Sequence, residues 1–342
     1  MRIKMSNWYL QSGKDSDVVI STRVRFARNL EKYPFSLRCN KKQRDNIIND
    51  ISNIVPSIGY GIKLFKLKDI DDITKMTLVE KHLISPDFAL NDNNEGSFLI
   101  NDDENICVMI NEEDHFRIQV FSPGLEIENT ANLAMEIEEK LGESLQYAYS
   151  EKYGFLTSCP TNAGTGMRVS VMVFLPGLSM TGNINKVLEA VQGFGMNIRG
   201  VYGEGSKAQG EMYQISNKQT LGISEKEIIK NIKNVTEKVI EQERIARKLL
   251  TKNEIELEDR VYRNFGILSN CKRISWNELN EKLAEVKLGT DLGIIKELTD
   301  SKILKLELYG KPANLQRYVG KNLDAYERDI ERAEMIKKVI NE

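Results

Sequence analysis

The sequence changes its pattern near Leu221, and this change constrains the fold more than any other feature. Before it, short apolar stretches typical of strands alternate with Gly-rich loops and helical segments. After it, apolar residues such as Ile228, Ile232 and Val235 recur at helical spacing. A mixed region followed by a mostly helical one predicts an α+β protein. We place the domain boundary near residue 250, which gives domains at 1–250 and 251–342.

Local patterns predict individual elements. Apolar residues at helical spacing indicate helices at 40–55 and 133–145, the second ending at or near Gly142. Strands are expected at 106–110, 169–175 and 212–215. Gly-rich loops lie at 161–166, 193–195 and 203–210, and strands that end in such loops are typical of active-site scaffolds. Capping pairs that open helices follow at Ser224 with Glu227, Ser275 with Glu278, and Asp324 with Glu327.

Composition excludes several classes of protein. Of the 342 residues, 41% are hydrophobic, which is enough for a packed core. The 48 Lys and Arg residues nearly balance the 50 Asp and Glu residues, which argues against a dedicated nucleic-acid binder. No apolar run is long enough to span a membrane. The scattered cysteines Cys39, Cys107, Cys159 and Cys271 form no Cys-x-x-Cys pair and, without an export signal, predict a cytoplasmic protein with no zinc or redox centre of its own.

Five arginines accompany the strands and loops: Arg23, Arg25, Arg117, Arg168 and Arg199. The two-residue spacing of Arg23 and Arg25 places both on one face of a strand. A guanidinium group is permanently charged and binds two phosphate oxygens at once. The chain lacks the G-x-x-x-x-G-K-[ST] phosphate loop, so these arginines are candidates for a polyphosphate site. The alternative is that each one is a solvated surface charge.

A row of carboxylates follows the strand predicted at 106–110. Glu112, Glu113 and Asp114 are suited to a metal site, a general base or a polar loop. Glu204, in the loop at 203–210, is a second carboxylate that could converge on the same place. Two carboxylates facing a phosphate-binding set of arginines suit a cationic guanidinium substrate, because they match its planar donors and can accept its proton.

Four segments carry a family resemblance. They are "STRVRFARN" (21–29), "NEEDHFRIQ" (111–119), "LTSCPTNAGTGMRVSV" (156–171) and "RGVYGEGSKAQGEMYQISN" (199–217). In this order they resemble the signature segments of the ATP:guanido phosphotransferases, the family of creatine and arginine kinases. The resemblance implies a catalytic domain with a mostly antiparallel sheet flanked by helices, followed here by a small helical C-terminal domain.

Two further features resemble one branch of that family. Small-molecule guanidino kinases carry a helical domain before the first arginine segment, whereas Ser21 comes almost at the start of this sequence. "ERDIERAEMIKK" (327–338) resembles the C-terminal signature of bacterial protein arginine kinases, with a complete RDxxRA motif. This implies a phosphoarginine pocket at Arg328, Asp329, Arg332 and Ala333, where spacing alone favours an ordinary charged helix surface.

The resemblance also implies roles for single residues. It implies a nucleotide site at Ser21, Thr22, Arg23, Val24, Arg25, His82, Arg117, Arg168, Val169, Ser170, Val171, Met172, Arg199, Gly200, Val201, Tyr202, Gly203 and Glu204. The five arginines would contact phosphates, with Arg168 and Arg199 also catalytic. Glu113 and Glu204 would bind the substrate guanidinium, with Glu113 as the general base. Cys159 would lie near the substrate, unless it is an inert small side chain. His82 is equally well read as a partly buried polar residue on a helix.

The resulting hypothesis is a kinase that moves the γ-phosphoryl group of ATP to protein arginines, with ATP and Mg²⁺ as cofactors. No residue is assigned as a metal ligand, and Glu112 and Asp114 either serve Mg²⁺ through water or shape the loop. The resemblance implies substrates with exposed arginines, among them heat-shock repressors and misfolded proteins. It also implies an AAA+ protease and a zinc-binding activator. A homodimer is a further expectation, and composition predicts no direct nucleic-acid or membrane partner.

Three alternatives stay open. The first is a kinase for free arginine or another small guanidine, and the second is a catalytically silent adaptor that binds phosphoarginine. The third is an ATP-dependent carboxylate–amine ligase, which can use similar arginine and glutamate sites.

Overall fold

The computed structural model describes residues 8–90, 95–200 and 208–342. The strands in these ranges are β1 (Val19–Arg28), β2 (Lys63–Lys66), β3 (Ser97–Ile100), β4 (Ile106–Ile110), β5 (Phe116–Pro123), β6 (Tyr149–Ser150), β7 (Gly154–Phe155), β8 (Met167–Phe174), β9 (Met196–Gly200) and β10 (Met212–Asn217). The helices are α1 (Lys41–Ile58), α2 (Asp72–Glu80), α3 (Pro86–Ala89), α4 (Ile127–Gly142), α5 (Pro176–Met180), α6 (Ile184–Gly193), α7 (Glu225–Leu250), α8 (Glu254–Asn270), α9 (Trp276–Asp291), α10 (Asp300–Gly310), α11 (Pro312–Val319) and α12 (Ala325–Asn341).

Eight of these strands form one sheet in the order β2-β3-β4-β5-β1-β8-β10-β9, and β6 pairs with β7 separately. β1 and β5 run antiparallel, with a register that extends from Ser21 opposite Pro123 to Arg28 opposite Phe116. β4 and β5 are also antiparallel, and Ile110 lies opposite Phe116. The short turn at 111–115 that joins them therefore lies beside the end of β1.

The chain forms two compact units. Among the described residues, the first contains Trp8, 21–171 and 216–234, and the second contains 9–20, 172–215 and 235–342. In the first unit, helix α4 packs on β5 and buries Ala131, Ala134 and Ile137 along one face. This unit contains the acid row and four of the five arginines.

In the second unit, helices α8 to α12 enclose an apolar core that includes Phe174 from β8. The second unit therefore includes strand residues that precede the predicted boundary at residue 250. Phe174 is one of them, because its side chain packs with the helices as well as with its own sheet. The boundary at residue 250 stays a prediction about sequence organisation. Within the described ranges, no helix is both long and apolar enough to cross a membrane.

The α+β class, with an antiparallel sheet flanked by helices and a helical C-terminal region, is confirmed. Strand β4 matches its predicted bounds, and the Asp324–Glu327 capping box opens α12 as expected. Helix α1 extends three residues beyond the predicted end at 55 and contains Pro56. Helix α4 starts at Ile127 rather than at 133, because Thr130 and Ala131 continue its buried face.

Candidate active site

Three arginines lie on one face of β1 and β5. Val24 and Phe26 are fully buried in β1, so the alternating residues Arg23 and Arg25 lie on the opposite face. Arg25 is opposite Gln119, and Arg117 is two residues away on the same face of β5. Strand alternation predicted the shared face of Arg23 and Arg25, and the register adds Arg117 to it.

Arg168 joins this group from β8. Burial lowers the pKa of the Arg25 guanidinium well below its ordinary value, and the charges of Arg23, Arg117 and Arg168 lower it further. Arg168 donates to the Ser216 hydroxyl at 2.9 Å. The Arg25 guanidinium donates no hydrogen bond within the described part of the chain. A half-buried cation among other cations is electrostatically costly, and a bound anion with several oxygens would relieve that cost.

The acid row occupies the turn between β4 and β5. The turn begins at Asn111, which has a left-handed φ of 62° and donates its N–H to the His115 carbonyl at 2.9 Å. Arg117 pairs with Glu112 at 2.9 Å and with Glu113 at 3.1 Å. The Glu112 side chain is only 10% exposed, and its carboxylate also accepts a hydrogen bond from Ser85. The Glu113 side chain is 42% exposed and is the one that a substrate can reach.

These groups leave a net positive site. The four guanidinium charges of Arg23, Arg25, Arg117 and Arg168, less the two carboxylate charges at 112 and 113, give a formal excess of two. A phosphate group brings about that much negative charge. The described site therefore suits a phosphate-bearing ligand.

Asp114 fixes the loop that follows β7. Its carboxylate accepts from the Asn29 side chain and from the Ser158 N–H, both at 2.7 Å. The side chain is buried, and these two bonds tie the end of β1 to the segment before Cys159. In this structure Asp114 shapes the loop, which is one of the two roles left open for it.

His115 fixes the other side of the acid row. Its Nδ1 accepts from the Leu30 N–H at 2.8 Å, so the proton lies on Nε2, which is 2.8 Å from the Pro34 carbonyl. Burial lowers the pKa of the ring, although the Pro34 hydrogen bond and Asp114 oppose the shift. A neutral, fully buried imidazole in this position holds the turn in place rather than taking part in proton transfer.

Several predicted residues line one cavity of about 160 Å³ in the first unit. Its walls are formed by Arg25, Ala27, Glu113, Arg117, Cys159, Thr161, Asn162, Gly166 and Arg168. A candidate base, three guanidinium groups and Cys159 therefore share one space. Gly166 has a φ of 63°, and a Cβ there would lie 2.7 Å from the Ala27 carbonyl, so this wall requires glycine.

Other predicted residues lie elsewhere. The side chains of Val24, Val169 and Val171 are in the core, and the Thr22 hydroxyl donates to the Gly124 carbonyl at 2.7 Å. Such residues can meet a nucleotide only through their backbone.

His82 is not among the residues that line the cavity. It is half-buried and lies just beyond α2 with a φ of 61°. Met172, Arg199 and Gly200 belong to the second unit, and Arg199 is exposed on β9. Val201, Tyr202, Gly203 and Glu204 lie outside the described residues. The roles given to all of these residues stay predictions.

The sequence analysis missed the residues that hold Arg168. The Asn217 side chain accepts from the Val169 N–H at 2.8 Å and donates to the Met167 carbonyl at 3.1 Å. It therefore bonds to the backbone of the residues on either side of Arg168. Ser216 contacts Arg168 directly. Both residues close the fourth signature segment, but their contacts depend on which strand lies beside β10, which spacing does not indicate.

Comparison with known proteins agrees with this geometry. Residues 45–246 match the model of the ATP:guanido phosphotransferase C-terminal catalytic domain, and residues 254–342 match the protein-arginine kinase McsB C-terminal domain. A relative named protein-arginine kinase from Halothermothrix orenii is 47% identical over 340 residues, covering 98% of this chain and 97% of the relative. Another with the same name, from Bacillus subtilis, is 43% identical and covers 98% and 93%.

Solved structures show the same fold. The duplicated taurocyamine kinase from Schistosoma mansoni with bound transition state analog components is 27% identical with a TM-score of 0.60, covering 66% of this chain and 33% of that one. Lombricine kinase, at 22% identity and a TM-score of 0.59, covers 68% of each chain and supports the fold alone. The fold and the arginine-lined cavity therefore define a phosphotransferase. The chain belongs to the ATP:guanido phosphotransferase family.

We predict that Arg168→Lys lowers kcat by about 10²-fold, the usual effect of losing one preorganised donor to a transition state. An ammonium group cannot reproduce the two-pronged contact of a guanidinium. Steady-state kinetics with varied ATP will measure this, with Arg263→Lys on an exposed helix surface as the control. An unchanged kcat with only a raised KM for ATP would limit Arg168 to binding the ground state.

Proposed function

We propose that this protein is a kinase that transfers the γ-phosphoryl group of ATP to arginine side chains of proteins. The observation that carries the proposal is the cavity in which Glu113 lies beside Arg25, Arg117 and Arg168. Two relatives that match nearly the whole chain are named protein-arginine kinases, and the C-terminal region matches a domain of that class. This favours a protein acceptor over free arginine.

In the proposed reaction the arginines position and neutralise the phosphates. Phosphoryl transfer passes through a loose transition state whose charge lies on the phosphoryl oxygens, so catalysis depends on placement and charge. Arg25 and Arg168 line the cavity on neighbouring strands, and Arg168 donates to the Ser216 hydroxyl at 2.9 Å. Arg117 is instead paired with Glu112 and Glu113. We assign Arg25 and Arg168 to the transferred group and its neighbours.

Mg²⁺ enters this proposal with the nucleotide. Glu112 is engaged with Arg117 and Ser85, and Asp114 with Asn29 and Ser158. Neither carboxylate is therefore placed as a direct ligand. Mg²⁺ in phosphoryl-transfer sites commonly binds through the phosphates and retained water, and it would supply further charge neutralisation there.

Glu113 is the proposed acceptor of the substrate's proton. A guanidinium has a pKa of about 12.5–13.8, so it must lose a proton as its nitrogen attacks phosphorus. The nitrogen lone pair forms the N–P bond, the bond from phosphorus to the ADP oxygen breaks, and the proton moves to the Glu113 carboxylate. Glu113 already holds one guanidinium, that of Arg117 at 3.1 Å, so its geometry suits a second. Glu204 would be the other carboxylate on the substrate, a role that rests on the resemblance.

We predict that Glu113→Gln keeps ATP binding but lowers the transfer rate by about 10²–10⁴-fold, the usual contribution of a general base. Glutamine keeps the shape and one acceptor while losing charge and basicity. Single-turnover rates and nucleotide titration will separate the two effects, with exposed Glu143→Gln as the matched control. A transfer rate within a few-fold of wild type would show that Glu113 is not the base, and the role would then be assigned to Glu204.

The proposed function is tested by incubating the protein with Mg-ATP and either an unfolded basic protein or free arginine. Mass spectrometry must avoid acid, because a phosphoramidate on arginine is acid-labile. We expect phosphoarginine on the protein together with ADP. Phosphorylation of free arginine alone would identify a small-molecule kinase. Release of free phosphate with a new amide bond would identify a ligase, and binding of phosphoarginine without turnover would identify an adaptor.

The wider biological setting also belongs to the proposal and rests on the resemblance. It comprises substrates among stress repressors and misfolded proteins, an AAA+ protease and a zinc-binding activator. We also propose a homodimer, and a cytoplasmic location on the ground of the scattered cysteines. We further propose that residues 1–250 form the catalytic domain and that residues 251–342 form the domain with the RDxxRA motif.

Within that motif we propose a regulatory phosphoarginine pocket. Arg332 is buried and donates to the carbonyls of Gly310 and Ile274 at 2.7 Å. Arg328 is half-buried and donates one bond, at 2.9 Å, to the Leu323 carbonyl. Ala333 is fully buried. We therefore assign Arg328 to bind the phosphoryl oxygens. Arg332 and its ion-pair partner Asp329 stabilise the wall of the pocket.

We predict that Arg328→Ala weakens phosphoarginine binding at least tenfold while the protein stays folded. Arg332→Ala should lower the unfolding temperature, because two buried carbonyls lose their donor. Calorimetric titration of phosphoarginine into protein with a blocked active site will measure the affinity, with Arg263→Ala as the control. Equal affinity for phosphoarginine in wild type and Arg328→Ala would show that this helix is an ordinary charged surface and not a binding pocket.

A further inference from the structure

An open groove of about 550 Å³ lies in the first unit, between segment 31–38 and segment 148–158. Its lining includes Phe35, Leu37 and Tyr149, whose exposed fractions are 38%, 84% and 59%. Single exposed apolar residues are common on protein surfaces, but several grouped in one concave place indicate a binding surface. The mechanism proposed above uses none of these side chains.

The groove is preformed, because its two walls are joined by backbone hydrogen bonds. The Ala148 N–H donates to the Asn29 carbonyl at 2.8 Å, and the Glu31 N–H donates to the Gln146 carbonyl at 3.0 Å. The Tyr33 hydroxyl donates to Asp50 at 2.7 Å and anchors the first wall to α1. A ligand would therefore bind without having to order these walls.

The groove adjoins the cavity that contains Glu113. Ser158 lines the groove, and the next residue, Cys159, lines the cavity. Asp114, which follows Glu113 in the chain, accepts the Ser158 N–H at 2.7 Å. His115 bonds the Pro34 carbonyl, and Pro34 also lines the groove. A chain whose arginine enters the cavity would thus run along a wall that the two spaces share.

We infer that this groove binds an apolar side chain of the substrate protein, in the extended segment that flanks the arginine to be phosphorylated. The lining carries one acid, Glu31, and one base, Arg38, so their charges cancel and it favours an uncharged group. An unfolded chain presents leucine or aromatic side chains near an arginine, whereas free arginine has none. The inference rests on the proposed function and specifies its substrate class.

The test compares peptides that contain one arginine and differ only in a flanking residue. A leucine is moved one position at a time through about six residues on each side, which covers about 20 Å of extended chain, and serine replaces it in the reference peptide. We expect at least one position at which leucine raises kcat/KM about tenfold over serine, through KM, since burying one leucine side chain accounts for that factor.

The variant Leu37→Ser with Tyr149→Ser should abolish this preference. Both residues are mostly exposed, and the Tyr149 ring meets Phe155 edge-on, so we expect the double variant to fold, which its thermal unfolding midpoint will check. The control is Leu90→Ser, which removes another exposed leucine of the first unit, 68% exposed, outside the groove. It should keep the preference. A wild type that does not distinguish leucine from serine, or a double variant that keeps the preference, would overturn the inference.

Two further measurements separate the remaining outcomes. The Kd of each peptide is measured by fluorescence anisotropy with citrulline in place of arginine, so it does not require transfer. If no peptide is phosphorylated, the proposed function fails, and the Kd difference between the leucine and serine peptides still decides the groove. Sedimentation velocity of the double variant tests whether a second copy of this chain occupies the groove instead of a substrate. A changed assembly state would show that a second copy of this chain covers the groove, which would overturn the inference.

Discussion

Mutual repulsion among guanidinium groups is the interaction on which the site depends. Arg25 is half-buried near Arg23, Arg117 and Arg168, and burial together with the charges of these three residues lowers its pKa. Glu112 and Glu113 offset part of this charge through Arg117. The positive charge that is not offset is electrostatically unfavourable in the absence of a ligand. It therefore attracts a phosphate-bearing ligand without a Gly-rich phosphate loop.

Such a site requires a frame that holds like charges together. The antiparallel register of β1 and β5 supplies most of it, because it is fixed by apolar residues on the opposite face, such as Val24 and Ile118. Buried polar residues supply the rest. Asp114 and His115 fix the acid turn, and Asn217 fixes the strand that carries Arg168. Their bonds are made mainly to backbone groups, so they position the reacting side chains without taking part in the chemistry.

The sequence predicted those features that depend on local spacing. Alternation placed Arg23 and Arg25 on one face, and capping pairs located the start of α12. It could not predict features that depend on which segments become neighbours. The Asn217 contacts follow from strand order, and the packing of Phe174 with the C-terminal helices follows from tertiary structure. The groove beside the cavity requires segments 31–38 and 148–158 to meet, which neither segment indicates alone.

The central claim is that positive charge is concentrated at the cost of stability in order to bind phosphates. Its most direct test is the thermal unfolding midpoint of Arg25→Met, which keeps the apolar stem and removes the charge. Without nucleotide the variant should be at least as stable as wild type. Saturating Mg-ATP should raise the midpoint of wild type, since ligand at about 100 times its Kd adds about 2.7 kcal/mol, and should leave that of the variant nearly unchanged. A variant that is less stable without nucleotide and is still stabilised by Mg-ATP would contradict the account.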